Sequence, residues 1–230
     1  MILGTKNSRN NSHCSLNLRM DGSDDGTSFP DSSSFGHTMT RTNAVTKTGT
    51  KKFGTASGYF DGASRLVHAS AAEFNLGSKD YTLEYWVNCA SHTGFVYAHG
   101  DGQPGNKDVR QFYHRTSNPY LQLYEERDSV TPPQSQTITS CTTTASTSSW
   151  NHVVFQRSGT YFQVFVNGIR VVNELKALIF NADNAEQVNV GVRLDNAAYQ
   201  LYFTGYLDSV MLIKNVARYK RNFKVPNRAA

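Results

Sequence analysis

Short runs of alternating apolar and polar residues recur along this chain, and they predict β-strands. The clearest run is 81–88, in which every second position carries a large apolar side chain: Tyr81, Leu83, Tyr85 and Val87. Successive side chains of a strand point to opposite faces of a sheet, so these four would share one buried face. No stretch longer than about ten residues keeps a helical period. The pattern therefore predicts an all-β chain.

Residues 150–172 predict three consecutive strands joined by two tight turns, at Ser158-Gly159 and Asn167-Gly168. Asn-Gly is a strong hairpin signal, because a type I′ turn needs positive φ at both central residues. The other predicted strands are 15–20, 57–62, 65–68, 94–99, 109–114, 120–124, 188–192 and 207–213. The last of them carries a single acid, Asp208, among apolar neighbours, which predicts a buried carboxylate. Loops are predicted at 100–108 and 129–149, the second with at most one edge strand at 136–141, and one helical turn is predicted at 215–219.

The length of 230 residues suits one all-β domain, since sandwiches of about 200 to 250 residues form a single core. We predict an N-terminal arm at 1–14, a two-sheet antiparallel β-sandwich at 15–226 and a C-terminal tail at 227–230. The first residues lack the apolar core of a signal peptide, and no segment is apolar for long enough to span a bilayer. The expectation is a chain made in the cytoplasm, with no membrane insertion.

The net charge of +5 is distributed unevenly. The chain before Asp21 has three basic residues and no acid, and the chain after Asp208 has six basic residues and no acid. Residues 21–208, with both of these aspartates included, hold 14 basic and 18 acidic residues. If the first and last strands pair, the basic ends form one positive surface.

Two interpretations of this surface stay open: solvated ends, or docking onto an acidic partner protein. The docking residues would be Lys6, Arg9, Arg218, Lys220, Arg221 and Lys224. Nucleic acid is not an expected partner, because no basic motif interleaved with aromatic residues occurs. The three cysteines, Cys14, Cys89 and Cys141, form no C-x-x-C pair, and we expect reduced thiols, although a disulfide between two of them stays possible.

Eight short motifs follow one another in order between residues 15 and 226. They include Phe29-Pro-Asp-Ser-Ser33, the stretch 53–62, Ser149-Trp-Asn-His-Val-Val154, Phe165-Val-Asn-Gly168 and Gly205-Tyr-Leu-Asp-Ser-Val210. In this order they resemble LamG-type, concanavalin A-like jelly rolls, a lectin and glucanase family with members in phage and bacterial surface proteins. The resemblance implies a jelly-roll sandwich over nearly the whole chain.

The resemblance also implies a structural Ca²⁺ where the first and last strands meet. It places the ion on Asp21 and Asp208, with backbone carbonyls near Gly22 and in the 60s as further ligands. Calcium takes six to eight oxygen ligands at about 2.3–2.6 Å. The alternative is that Asp21 caps a turn and Asp208 pairs with a basic neighbour. The loop at 21–26 is not an EF-hand, because its twelfth position is Ser32 rather than Glu.

Glucanases of this fold hydrolyse glycans with paired carboxylates on one strand, so catalysis has to be considered. Only Glu126 and Asp128 come near this arrangement, and they lie at a predicted strand end beside Pro132-Pro133. No nucleophile elbow or phosphate-binding glycine loop occurs. We therefore expect a protein that is not an enzyme.

Two functions remain. The resemblance to phage jelly rolls and the basic ends favour a virion structural protein at the particle surface, such as a capsid decoration protein, head fibre or tail appendage. Its partners would be other virion proteins and copies of itself, and deleting residues 1–13 should abolish incorporation.

The alternative is a carbohydrate-binding adhesion module for a cell-surface glycan. Aromatic, amide and charged residues around 112–124 supply candidate sites at Tyr113, Arg115, Tyr120 and Tyr124, and 196–202 offers the same types, although packing in the core is the other interpretation.

Overall fold

A computed structural model describes residues 13–89, 94–100, 108–115, 120–127, 134–141, 148–175, 187–195 and 197–227; side chains are not described at 108–115, 120, 122–127, 134–141 and 195. These ranges contain one 3-10 turn, Ala72–Phe74, and seventeen strands. The strands are β1 (Cys14–Leu18), β2 (Thr40–Thr42), β3 (Val45–Lys47), β4 (Ser57–Asp61), β5 (Arg65–His68), β6 (Tyr81–Asn88), β7 (Phe95–His99), β8 (Asp108–Arg115), β9 (Tyr120–Arg127), β10 (Gln134–Cys141), β11 (Asn151–Ser158), β12 (Tyr161–Val166), β13 (Ile169–Leu175), β14 (Val188–Val190), β15 (Arg193–Asp195), β16 (Ala198–Gln200) and β17 (Thr204–Lys214).

The strands form two large antiparallel sheets, and the predicted two-sheet sandwich is confirmed. The first sheet has the order β13-β12-β11-β6-β17-β4-β3, with β1 also paired to β17. The second has the order β10-β9-β8-β7-β14-β5-β2, and β15 and β16 form a separate hairpin. The first and last strands pair, which is the condition under which the basic ends would form one surface; Leu16 lies opposite Leu212 and Leu18 opposite Val210. No helix in the described ranges is long and apolar enough to cross a membrane.

The core lies between the two sheets. The alternating positions of β6 that were predicted to share a face are all fully buried in it, which confirms that prediction. The facing sheet contributes Leu66, Tyr97, Val188 and Val190, which are fully buried as well. Central strands of both sheets thus pack their apolar faces together, the arrangement that holds a sandwich.

The two turns of the β11–β13 region come close to the prediction. Asn167 and Gly168 have φ of +49° and +81°, as a type I′ turn requires. The Asn167 amide also accepts the backbone N–H of His152 at 2.9 Å, so the turn is tied to β11. The other loop is Gly159-Thr160, one residue later than predicted, with φ of +60° at Gly159.

Two predictions about elements are wrong or incomplete. Residues 215–219 form no helical turn; they begin an extended segment that crosses the outer face of the first sheet. Strands β4 and β5 lie on either side of a turn, as predicted, and this turn carries the chain from one sheet to the other. The short strands β2, β3, β15 and β16 were not predicted.

The cysteines that the structure describes are buried thiols. Cys14 and Cys89 are 1% and 4% exposed, and burial raises the pKa of each to about 11. A thiol with so high a pKa is a poor nucleophile at neutral pH, so neither is a reactive cysteine. The side chain of Cys141 lies outside the described part of the chain.

Candidate functional site

Asp208, predicted from sequence as a buried acid, lies at a β-bulge in β17. The pairing register with β6 shifts just after it, and Ser209 has φ of +50°. The bulge lets both Leu207 and Val210 face the core, although simple alternation would place them on opposite faces. Asp208 therefore faces outward beside Trp86, its neighbour on β6.

The carboxylate of Asp208 is covered by the loop at residues 50–55. Its Oδ2 accepts the backbone N–H groups of Lys52 and Phe53 at 2.9 and 3.0 Å, and its Oδ1 accepts the Ser209 hydroxyl at 3.2 Å. The pKa of Asp208 is raised to about 6, chiefly by burial. The negative charge of Asp21 also raises this pKa, whereas the three hydrogen bonds lower it. At neutral pH Asp208 therefore carries a negative charge although its burial disfavours the charged form.

Asp21 holds the other end of the same loop. Its Oδ1 accepts the backbone N–H of Thr55 at 2.6 Å and the Thr55 hydroxyl at 3.2 Å. The Thr55 oxygen accepts the N–H of Gly22 at 3.0 Å. A Cβ at Gly54, which has φ of +55°, would lie 1.9 Å from Asp21 Oδ1, so the close contact requires glycine. Asp21 thus caps a turn, and the predicted calcium residues converge on one loop.

These residues fit a calcium ion only in part. Within the described ranges, Oδ2 of Asp21 accepts no hydrogen bond and Oδ1 of Asp208 accepts one, so one oxygen of each carboxylate has capacity for a cation. The same ranges contain no group of three or more His, Cys, Asp or Glu side chains that could hold a metal ion. A calcium ion here would need backbone oxygens and water as further ligands. The backbone oxygens would come from the loop at 50–55 rather than from the 60s. Asp61, at the end of β4, pairs with Thr204 and is therefore distant from Asp208 along β17.

A second polar cluster surrounds Glu84 on the outer face of the first sheet, and sequence reasoning missed it. The Glu84 side chain is 4% exposed and contacts three groups from two segments, β11 and the residues that follow β17. The Tyr219 hydroxyl donates to Oε2 at 2.6 Å, the Arg218 guanidinium pairs with Oε1, and His152 Nε2 lies 3.6 Å from Oε2. Burial alone would raise the pKa of Glu84, but these three partners hold it below its ordinary value.

Residues 215–227, which we call the C-terminal strap, cover this cluster. Phe223 stacks on Tyr219 with ring centroids 3.6 Å apart and also contacts His152 and Phe165. The Phe223 N–H donates to the carbonyl of Gly168 at 2.9 Å. The strap is therefore part of the folded domain and shields one face of the sheet from water.

The predicted docking residues separate into three groups. Arg218 pairs with Glu84 although a third of its side chain is exposed, so its charge is partly balanced within the domain and its docking role stays a prediction. Lys220, Arg221 and Lys224 are exposed on the strap. Lys6 and Arg9 lie outside the described residues.

The β15–β16 hairpin forms the third candidate site. Leu194 pairs with Tyr199 across it. The segment after the hairpin is fixed to the second sheet, because the carbonyl of Leu201 accepts the N–H of Phe95 at 3.0 Å and the N–H of Phe203 donates to Gly191 at 2.9 Å. These backbone bonds hold the side chains of the hairpin in defined positions.

We use the name hairpin surface for a set of side chains from β5, from β16 and from the two residues after it: Arg65, Tyr199, Leu201 and Tyr202. The Arg65 guanidinium lies 4.0 Å from the ring centroid of Tyr199, and its Nη1 donates to the Tyr202 hydroxyl at 3.3 Å. Leu201 is 57% exposed and has φ of +51°, which is unusual for a bulky residue. Strained, exposed positions of this kind are enriched at ligand sites.

The residues that were predicted to bind a glycan lie on two adjacent strands, β8 and β9. Tyr113 and Arg115 belong to β8, Tyr120 and Tyr124 belong to β9, and Arg115 pairs with Tyr120 across the two strands. Their side chains lie outside the described part of the structure, so the role given to them stays a prediction. The other predicted segment, 196–202, does contribute to the hairpin surface. Arg65 could not be associated with it from sequence, because β5 and the hairpin are more than a hundred residues apart.

Comparison with known proteins identifies the fold independently. The family model described as "Concanavalin A-like lectin/glucanases superfamily" matches residues 60–218. No curated protein matches the chain. Among solved structures, domain 4 of AbnA, a GH43 extracellular arabinanase from Geobacillus stearothermophilus solved in complex with arabinotriose, is similar. The TM-score is 0.63 at 14% identity, over 87% of this chain and 92% of that one.

Two toxin domains are also similar. The binding domain of Paraclostridial Mosquitocidal Protein 1 gives a TM-score of 0.62 at 10% identity over 90% of this chain. The binding domain of Botulinum Neurotoxin DC, solved in complex with SialylT, gives 0.59 at 9% identity over 90% of this chain. This chain spans about half the length of those two structures, 50% and 49%. At sequence identities this low, the structural similarity shows a shared fold and nothing more.

Proposed function

Because this chain belongs to the concanavalin A-like lectin/glucanase superfamily, we propose that it is a carbohydrate-binding module without catalytic activity. The observation that carries the proposal is the hairpin surface, where Tyr199 and Tyr202 are partly exposed beside Arg65 and Leu201. Similar folds in domain 4 of the arabinanase and in the neurotoxin binding domain were solved with arabinotriose and SialylT, which supports a glycan ligand.

The chemistry of the hairpin surface suits a sugar. Aromatic rings and an exposed apolar side chain pack against the C–H faces of a pyranose, while a guanidinium and the exposed amide of Gln200 donate to its hydroxyl groups. The surface is also fixed before binding, because backbone hydrogen bonds hold Leu201 and Phe203 against the second sheet. A fixed surface loses less conformational entropy when a ligand binds.

The proposal that the chain is not an enzyme is supported by the similar structures, which are binding domains of toxins and a domain of an arabinanase solved with arabinotriose. The buried carboxylates Glu84 and Asp208 are not candidates for hydrolysis, because the C-terminal strap and the loop at 50–55 cover them. The two carboxylates considered for hydrolysis leave the proposal untested, because the side chain of Glu126 and the whole of Asp128 lie outside the described part.

A glycan array with the labelled chain tests the proposed function. We expect a discrete set of glycans to bind the folded protein, and the set to be lost when Tyr199 is replaced by alanine. Thermal unfolding of both proteins provides the control for folding. A folded wild-type chain that binds no glycan on the array would contradict the proposal.

We further propose that the module is displayed on a phage virion as a structural component. The observation in favour is that Lys220, Arg221 and Lys224 are exposed on the strap, where they could contact an acidic partner protein. Incorporation of the chain into particles, with and without residues 1–13, tests this role separately from glycan binding.

We propose that calcium binds between Asp21 and Asp208. Saturating calcium should then raise the melting temperature by several degrees, since a ligand at 100 times its Kd adds about 2.7 kcal/mol and about 2–4 °C accompanies each kcal/mol at this size. Asp208→Asn should abolish the shift. Without calcium that variant should be at least as stable as wild type at pH 7, because asparagine can keep the hydrogen bonds without a buried charge.

The control for calcium is Asp25→Asn, which removes an exposed carboxylate from the neighbouring loop and should leave the shift unchanged. The measurement is thermal unfolding with calcium and with a chelator. A wild-type shift below about 1 °C, less than about 0.5 kcal/mol, would remove calcium from the account.

A further inference from the structure

The charge of Arg65 has no counter-ion among the side chains that the structure describes. Within the described ranges Arg65 forms no ion pair, and its contacts are with two neutral groups: the Tyr199 ring and the Tyr202 hydroxyl. Two other cations of the domain do have a counter-ion: Arg218 pairs with Glu84 and Lys47 with Asp25. The nearby Asp61 is bonded to Ala63 and Ser64 in its own turn.

The guanidinium of Arg65 is nevertheless held in one place. Stacking on Tyr199 occupies its flat face and Tyr202 takes one N–H, while no nitrogen of Arg65 is among the buried, unbonded atoms of the described residues. The remaining N–H groups are therefore open to water or to a ligand. Arginine donates in a planar fork that matches the two oxygens of a carboxylate.

We propose that the hairpin surface selects sugars that carry a carboxylate, which Arg65 binds through its free N–H groups. Tyr202 and Leu201 would contact the sugar ring that carries the acid. The inference rests on the proposed glycan binding and specifies its ligand class. Two sources share this chemistry, hexuronic acids and sialic acids, and the hairpin surface accommodates the carboxylate in the same way in both.

Calorimetry with two pairs of oligosaccharides tests the inference. One pair is a hexuronic acid oligomer and its carboxyl-reduced form; the other is a sialylated oligosaccharide and its carboxyl-reduced form. We expect at least one acid to bind about tenfold tighter than its reduced partner, a difference of about 1.4 kcal/mol. The pair that shows the difference identifies the source of the acid.

Variants assign this difference to Arg65. Arg65→Gln should remove it, and Arg65→Lys should keep part of it, because lysine retains the charge but not the planar fork. Arg170→Gln is the matched control: Arg170 is an exposed arginine without an ion pair in the described ranges, on the far edge strand β13, and its loss should leave the preference unchanged.

The remaining outcomes contradict either the inference alone or the proposed function as well. Equal binding of acid and reduced forms, or binding of neutral glycans alone, would overturn the inference and leave the proposed function standing. A preference that survives Arg65→Gln would also overturn the inference, since the carboxylate would then be bound elsewhere. A folded chain that binds no glycan of any kind would overturn the proposed function as well.

Discussion

Replacing Arg218 with methionine should lower the free energy of unfolding at pH 7 by about 3 kcal/mol, because it removes one partner of a buried carboxylate. Glu84 would keep Tyr219 and His152 but lose its charged partner while it stays under the C-terminal strap. At about 2–4 °C per kcal/mol, the melting temperature should fall by roughly 6–12 °C. Thermal and denaturant unfolding both measure the change.

The pH dependence of this effect has a defined direction. The pKa of Glu84 is lower in the folded protein than in the unfolded chain, so its ion pair stabilises the fold above the unfolded pKa and stops doing so as pH falls through the folded pKa. The difference between wild type and Arg218→Met should therefore be complete at pH 7 and shrink in acid below the ordinary range of a glutamate.

Arg221→Met is the matched control for Arg218. Arg221 is exposed on the same strap and has no ion pair in the described ranges, so its loss should change stability by no more than about 0.5 kcal/mol. A loss below about 1 kcal/mol for Arg218→Met would show that the ion pair between Arg218 and Glu84 contributes little to the stability of the fold.

Gly94→Ala should destabilise the domain by about 3 kcal/mol and weaken glycan binding. Gly94 has φ of +88°, and a Cβ there would lie 2.2 Å from the carbonyl oxygen of Tyr202 and 2.5 Å from the backbone nitrogen of Phe203. The left-handed conformation costs alanine about 1–2 kcal/mol, and backbone movement to relieve the overlap adds about 1–3 kcal/mol. That movement would displace Tyr202, so the stability and the binding surface should change together.

Gly36→Ala measures the cost of the left-handed conformation without the cost of the steric overlap. Gly36 also has a positive φ, +60°, but no atom lies within 4 Å of the Cβ position. We expect this variant to lose only about 1 kcal/mol and to keep its glycan binding. Equal losses in Gly36→Ala and Gly94→Ala, measured by thermal unfolding, would show that the contact with the hairpin surface has no effect on stability.

The features that sequence predicted are those with local causes. The alternation in β6 and the Asn167-Gly168 turn depend on side chains a few positions apart, and both are confirmed. The burial of Asp208 was also predicted, since it is a single acid among apolar residues. Its partners could not be predicted, because the N–H groups of Lys52 and Phe53 come from a loop about 155 residues away.

The features that sequence missed depend on tertiary contacts. Residues 215–219 were expected to be helical, but Tyr219 instead bonds to Glu84 and Gln156 across the sheet, and these contacts decide the conformation. The β15–β16 hairpin has strands of three residues and a turn without glycine, so no local signal marks it. Its function could not be inferred without Arg65, which reaches it from another strand.

The measurement that tests the central claim most directly is the affinity of Tyr199→Ala for a glycan selected on the array. Calorimetry should give a Kd at least about tenfold weaker than wild type, a loss of about 1.4 kcal/mol, because the variant lacks the ring that supports Arg65. Tyr161→Ala is the matched control, since Tyr161 is 42% exposed in β12, a strand of the other sheet, and its loss should leave the affinity unchanged. Wild-type affinity in a folded Tyr199→Ala variant would contradict the account and place the glycan site elsewhere on the sandwich.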